Sequence, residues 1–409
     1  MNPDMNKYEA VIGLEIHIQL NAATKLFCDC PNQPGDSANS NICPVCLWLP
    51  GALPRLSAQA VEKAVLSCLA GNCTICEYSA FDQKVYYYPD LPKGYQLSQH
   101  HKPLAKNGWI DIVGENGRMR RLRIHHIHME EDVARLVHET EGNKAVSLVD
   151  FNRAGAPLIE IVTEPDIRSP FEAMEFLKTL RTRLRYTGCT ECSMEQGTMR
   201  ADANISLRPA GTDEFNTKVE VKNMNSIHHV GDAIAYEIQR QTGCMERNET
   251  VTLHTRLWDP DKKITVRMRE KFAGPCVPDP CVPSIHMDAL WLEKIKKRLP
   301  EMPDAKASRF VEDLKLPASE AFAMSQDIEK DSDPERIISE AGLEQVSDTD
   351  SLEAVVDEIL AAHPDDVSDY KNGNPKVIGF FMGLAMKASK GKANPKRLKE
   401  ILSSRLDSR

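Results

Sequence analysis

Val11-Ile12-Gly13-Leu14-Glu15-Ile16-His17-Ile18-Gln19-Leu20 decides how the first half of this chain is read. Successive side chains of a β-strand point to opposite faces, so residues two apart project together. On that rule Ile12, Leu14, Ile16, Ile18 and Leu20 share one face, while Glu15, His17 and Gln19 share the other. Three further stretches split the same way. Arg200, Asp202, Asn204, Ser206 and Arg208 oppose Ala201, Ala203, Ile205 and Leu207. Lys218, Glu220 and Lys222 oppose Val219 and Val221, and Glu160 and Glu164 oppose Ile159 and Ile161.

Such alternation predicts an antiparallel sheet with one apolar and one polar face, and solvent on the polar face is its ordinary explanation. The polar residues here are unusual in kind, because acids, bases and amides recur at consecutive same-face positions of several strands. That mixture is what a lined concavity for phosphate chemistry needs. Carboxylates hold Mg²⁺, and guanidinium or ammonium groups neutralise phosphate oxygens. His128-Met129-Glu130-Glu131-Asp132 and Asp150-Phe151-Asn152-Arg153 add acids, an amide and a guanidinium.

A second chemistry lies in Cys28-x-Cys30 and Cys43-x-x-Cys46. Two close pairs of thiols joined by a loop can close a tetrahedral Zn²⁺ site. Four protein ligands leave no open position, so the metal would be structural, and a zinc hydrolase is excluded. Cys73-x-x-Cys76 and Cys189-x-x-Cys192 lack a second pair at obvious spacing and read as buried or free thiols.

The chain has 409 residues, enough for roughly two or three domains. No run of 18 apolar residues is present, and residues 1–7 lack an apolar signal core, so a cytoplasmic, membrane-free protein is expected. Twelve cysteines in such a setting favour metal or free thiols over disulfides. The net charge of −9 argues against a protein that grips nucleic acid with its whole surface. From Lys371 onward, however, ten basic residues face two acidic ones, among them Lys371, Lys376, Lys387, Lys390 and Lys392. Such asymmetry suits a tail that meets a polyanion.

From Trp291 onward the periodicity turns helical, and Asp331-Ser332-Asp333-Pro334 marks a break before a last helical unit from about 335. Within the first part, Ser169-Pro170-Phe171-Glu172 reads as a capping box opening a helix. Phe171, Met174, Leu177, Leu180 and Leu184 form its apolar stripe, and Gly188 ends it.

The segments 11–17, 128–132, 150–160 (Asp-Phe-Asn-Arg-Ala-Gly-Ala-Pro-Leu-Ile-Glu), 200–206 and 222–226 (Lys-Asn-Met-Asn-Ser) closely resemble the B subunits of the tRNA-dependent amidotransferases. They stand in that family's order over about residues 8–270, and the four cysteines match its zinc-carrying members. The resemblance implies an α+β fold. A mostly antiparallel-sheet cradle over 1–292 would carry catalysis, with a zinc knuckle at 28–46. A shortened helical domain over 293–333 and a partial tRNA-contacting tail domain over 334–409 would follow. It also implies ATP, Mg²⁺ and structural Zn²⁺, an amidase-type A subunit, a small C subunit, and mischarged tRNA(Gln) or tRNA(Asn) as partners. By analogy Glu15, His17 and Glu131 would hold Mg²⁺. Glu130, Asp132, Asp150 and Glu160 would be supporting acids, and Arg153, Arg200 and Lys222 phosphate or carboxylate contacts. Asn152, Asp202, Asn204 and Glu220 complete the expected catalytic set, and the five lysines of the tail would meet tRNA.

Two departures stand out. After Met268-Arg269 the family usually carries an Asp-Tyr-Arg-Tyr-Phe-Pro loop, whereas this chain has Glu270-Lys271-Phe272-Ala273-Gly274-Pro275-Cys276. Between about 321 and 347 a long helical stretch of the family is missing. The alternative to an active subunit is therefore a zinc-stabilised tRNA- or partner-binding paralogue with impaired catalysis.

Overall fold

The structure, a computed structural model, describes residues 7–33, 37–268, 274–314, 316, 321, 324–325, 349–371, 377–388 and 395–408. The fold is α+β, with two compact units that divide after Lys306. In chain order the strands of the first unit are β1 (Tyr8–Gln19), β2 (Thr74–Ile75), β3 (Tyr78–Val85), β4 (Tyr95–Lys102) and β5 (Ala105–Val113). Then come β6 (Met119–Glu131), β7 (Arg135–Glu141), β8 (Lys144–Asp150), β9 (Pro157–Thr163), β10 (Met199–Pro209) and β11 (Val219–Met224). The last long ones are β12 (His254–Asp259), β13 (Ile264–Arg267) and β14 (Cys276–Pro278).

A single large sheet runs β13-β12-β11-β10-β1-β9-β6-β4-β3-β14, with β5 on β6 and β2 on β5. Its pairings are antiparallel apart from β11 on β12, which is parallel. A parallel pair needs a long crossover, and helix α3 (Ile227–Glu246) supplies it. The strands β7 and β8 form a separate two-stranded hairpin.

The apolar half of the opening stretch is the middle of the core: Ile12, Leu14, Ile16, Ile18 and Leu20 are all buried. Helices α1 (Ala58–Ala70), α2 (Pro170–Tyr186) and α3 cover that face. Helix α2 opens as read: the Ser169 hydroxyl accepts from Glu172 N at 3.2 Å and Pro170 takes the first position. Glu172 reaches back one residue beyond the cap, accepting from Arg168 N at 2.8 Å. Its buried stripe is Ala173, Phe176, Leu177, Leu180 and Leu184, with Phe171 and Met174 only half-buried at its edge. Met174 is used nonetheless, because α3 crosses it at Gly231, where an added Cβ would lie 2.6 Å from its sulfur.

Helix α4 (Ala289–Lys296) buries Ile295 in the same core, and α5 (Pro303–Leu314) carries the chain into the second unit. In that unit α6 (Thr349–Ala362), α7 (Pro364–Lys371), α8 (Val377–Ala388) and α9 (Pro395–Ser408) surround Leu352, Val356, Phe381, Leu398 and Leu402. The expected break at 331–334 and most of residues 321–347 lie outside the described residues, as do positions 270–273 of the altered loop Glu270–Cys276. No helix among the described residues is long and apolar enough to cross a membrane.

Candidate active site on the polar face of the sheet

The polar half of the opening stretch lies at the centre of the sheet, flanked by β9 on one side and β10 on the other. Register sets Glu160 opposite His17, and His128 opposite Glu160 on the next strand out. A β-bulge between Ile124 and His126 resets the alternation of β6. After it His126, His128 and Glu130 share the polar face with His17. The His17 Nε2 lies 3.2 Å from Glu130 Oε1 and 3.4 Å from Glu160 Oε2, and His128 Nε2 lies 3.2 Å from the same Glu160 oxygen. One ligand atom from each of His17, Glu130 and Glu160 falls within 4.8 Å of the others. An imidazole and two carboxylates at that spacing fit a divalent cation.

Electrostatics lock the cluster. Burial lowers the His17 pKa, but the Glu130 and Glu160 carboxylates overcome it and push it up to about 10, so the ring carries a proton that a divalent cation would have to displace. Burial would raise Glu160; His128 and His17 instead hold it well below the usual carboxylate range.

On the other flank, Glu15 faces Asp202 across the β1–β10 ladder and accepts the Asn204 amide at 2.8 Å. Burial, then Glu160, push the Glu15 pKa up, and the Asn204 hydrogen bond acts against them. Lys222 Nζ lies 2.6 Å from Asp202 and 2.8 Å from Glu220. Although burial raises it, Glu220 sits below its ordinary pKa because of Lys222 and the Thr255 hydroxyl, which donates to it at 2.8 Å. Beyond His17, Arg200 reaches Asp132 at 3.1 Å, and Arg153 Nε lies 3.4 Å from the other Asp132 oxygen. Arg153 also donates to the carbonyls of Val133 and Ala134. A cleft of about 330 Å³ opens among His17, Glu130, Asp132, Arg200, Asp202 and Lys222.

Three of the expected site residues are placed elsewhere. Glu131 is one position from Glu130 and therefore points through the sheet. It pairs there with Lys93 and accepts from Leu97 N at 2.8 Å. Asp150 and Asn152 bind the loop between the cysteine pairs. Asp150 accepts from Asn39 N at 3.0 Å, and Asn152 accepts from Asn41 N at 2.8 Å. Both line a separate cavity of about 800 Å³ with Arg153, Gln19, Asn32, Arg135 and Gln196, so Arg153 joins the cleft only through Asp132. Residues not singled out from sequence also join the face: His128 on Glu160, Thr255 on Glu220, and Lys84, Tyr86 and Gln96 around the cleft. His128 was detectable, since it stands two residues before Glu130 and so shares its face.

The four sulfurs of Cys28, Cys30, Cys43 and Cys46 lie within 4.8 Å of one another, as one tetrahedral ion requires. Cys43 N donates to Cys46 Sγ at 3.0 Å. That contact, the Cys28 thiol and the charge of Lys25 bring the Cys46 pKa to about 5, the Cys28 thiol acting most strongly and burial opposing it. In the tail Lys371 is exposed at the end of α7, and Lys387 lies on α8; Lys376, Lys390 and Lys392 fall outside the described residues.

Residues 10–293 match the family described as the GatB/GatE catalytic domain, and residues 318–406 match the GatB domain. An aspartyl/glutamyl-tRNA(Asn/Gln) amidotransferase B subunit of Syntrophus aciditrophicus is 54% identical, over 98% of this chain and 99% of its own length. The corresponding B subunit of Carboxydothermus hydrogenoformans is 41% identical and that of Persephonella marina 39%, each over 98% of this chain and at least 99% of its own. The first of these alignments runs over 474 positions, more than the 409 residues of this chain, so that relative carries positions without a counterpart here.

Proposed function

This chain belongs to the family of aspartyl/glutamyl-tRNA(Asn/Gln) amidotransferase B subunits, and we propose that its polar face activates the side-chain carboxylate of glutamate or aspartate carried on tRNA. It is one subunit of a glutamine-hydrolysing, tRNA-dependent amidotransferase. The observation that carries the proposal is the meeting of His17, Glu130 and Glu160 ligand atoms within 4.8 Å of one another, beside a cleft that His17, Glu130, Asp132 and Arg200 line.

A carboxylate is a poor electrophile and needs a leaving group before ammonia can displace one of its oxygens. In this reading ATP transfers its γ-phosphoryl group to a carboxylate oxygen, forming an acyl phosphate and ADP. The nitrogen of ammonia then bonds to the carbonyl carbon, the carbon–oxygen bond to phosphate breaks, and a proton leaves the nitrogen. His17, Glu130 and Glu160 would hold Mg²⁺, which neutralises phosphate charge when bound. Arg200 and Arg153 stand where they can meet phosphate oxygens, oriented by Asp132. Lys222, held by Asp202 and Glu220, places a further cation beside Glu15.

The four cysteines would hold a structural Zn²⁺, closed to substrate. Ammonia would come from an amidase-type A subunit assembled with a small C subunit. Lys371, Lys376, Lys387, Lys390 and Lys392 would meet tRNA phosphates, in the cytoplasm, from a tail domain over 334–409. Co-expression with A and C subunits tests the whole reading. ATP-dependent conversion of Glu-tRNA(Gln) or Asp-tRNA(Asn) to the amide is the expected result. A stable complex that converts neither would instead mark a binding paralogue.

A further inference from the structure

Lys25 is completely buried, and burying an ammonium is costly unless an anion compensates it. Its Nζ donates to the carbonyls of Asn41 at 2.8 Å and Phe151 at 3.2 Å, and among the described residues no carboxylate pairs with it. Two carbonyl dipoles leave a full charge and a third N–H to account for. Lys25 lines a small void of the fold together with Cys28 and Cys46. A divalent cation held by four thiolates carries two net negative charges. We infer that Lys25 is the buried counter-charge of the four-cysteine metal centre, and that it ties that centre to the turn carrying Arg153.

The geometry around the side chain fits this role. Its stem passes over Gly155, where an added Cβ would lie 3.5 Å from the lysine Cδ. Its backbone N donates to Cys30 O, and Leu26 N donates to Gly155 O. The loop between the cysteine pairs is stitched to the same turn through Asn39 with Asp150 and Asn41 with Asn152. A charge that stabilises the metal thus also holds the Phe151 carbonyl, two residues before Arg153. The glutamate nearest the void, Glu131, already has Lys93 as its partner.

The inference rests on the cysteines holding a metal, and the experiment separates the two. The full chain is assayed for zinc content as wild type and as Cys28→Ser, and zinc affinity is read by chelator competition for wild type, Lys25→Met and Lys25→Gln. Loss of a second-sphere partner typically weakens a metal about 10–100-fold, so a drop of at least tenfold is expected in both neutral variants. Melting of loaded and stripped protein supplies the second readout. Lys25→Met should lose more melting temperature when loaded than when stripped, because the loaded centre carries two negative charges and the stripped one at most the single charge of Cys46. A lysine that merely supplies two hydrogen bonds would lower both forms equally, and that result overturns the inference. Unchanged zinc affinity in both variants overturns it too. Wild type without zinc, indistinguishable from Cys28→Ser, would remove the metal itself and the role of Lys25 with it.

Discussion

His17 and Glu160 face each other across the β1–β9 ladder, with Nε2 3.4 Å from Oε2, and His128 holds that same oxygen from the far side at 3.2 Å. Glu160 is therefore fixed from both neighbouring strands. Glu160→Gln preserves shape and removes the charge that both histidines use and that the proposed cation would use. Divalent-cation affinity, read with Mn²⁺ by electron paramagnetic resonance, should fall about tenfold or more. ATP-dependent amidation should fall with it while the circular dichroism spectrum stays unchanged. Wild-type Mn²⁺ affinity in the variant would remove Glu160 from the cation site.

Glu131 makes the opposite prediction from Glu130, although the two are adjacent. It lies on the far side of the sheet, nearly buried against an equally buried Lys93. Removing one member of a buried pair strands the other, at a cost of about 3–5 kcal/mol. Glu131→Gln should lose stability of that order in urea unfolding and keep its Mn²⁺ affinity per folded molecule. Glu130→Gln should instead lower Mn²⁺ affinity, and it should lose stability as well because Glu130 is buried against His17.

That contrast shows what the sequence could tell and what it could not. Alternation alone placed Glu15, His17, Arg200, Asp202 and Asn204 on one face, because period two needs no knowledge of the partner strand. It also puts Glu130 and Glu131 on opposite faces, yet which of them joins His17 depends on the bulge between Ile124 and His126. A bulge carries no sequence signal of its own in this strand. Asp150 and Asn152 were legible as polar residues in a motif, but their partners are backbone amides near position 40, and no periodicity links the two segments. Lys25 was invisible for the same reason: its charge is spent on distant carbonyls and on cysteines.

Gly108 tests the packing beneath the site. It stands on β5 where an added Cβ would lie 2.2 Å from Cys73 Sγ and 2.6 Å from the Gly71 carbonyl oxygen. The carbonyl belongs to backbone that already accepts from Trp109 N, so it cannot move aside freely. Gly108→Ala should destabilise the protein by about 1–3 kcal/mol, the usual range for overpacking. Equal urea midpoints for variant and wild type would show that the strand accommodates the methyl group.

His126 sets a pH dependence that can be separated from that of the carboxylates. Its ring stacks on His128, with centroids 5.2 Å apart, and its Nδ1 lies 2.6 Å from that of His125. Burial first, then His128 and His125, lower its pKa from 6.5 to about 4, with Glu160 opposing them. A histidine depressed in the folded state binds its proton more readily when unfolded. Its contribution is therefore present above about pH 6.5 and is lost as pH falls toward 4. Protonated carboxylates weaken the fold over part of the same range, so wild type alone cannot isolate the histidine. His126→Gln removes only the histidine's share, and its unfolding free energy should fall less steeply between pH 6.5 and 4.5 than that of wild type. Parallel slopes would mean that His126 titrates in the folded protein as it does in the unfolded chain, and that the stack with His128 exerts no hold on its proton.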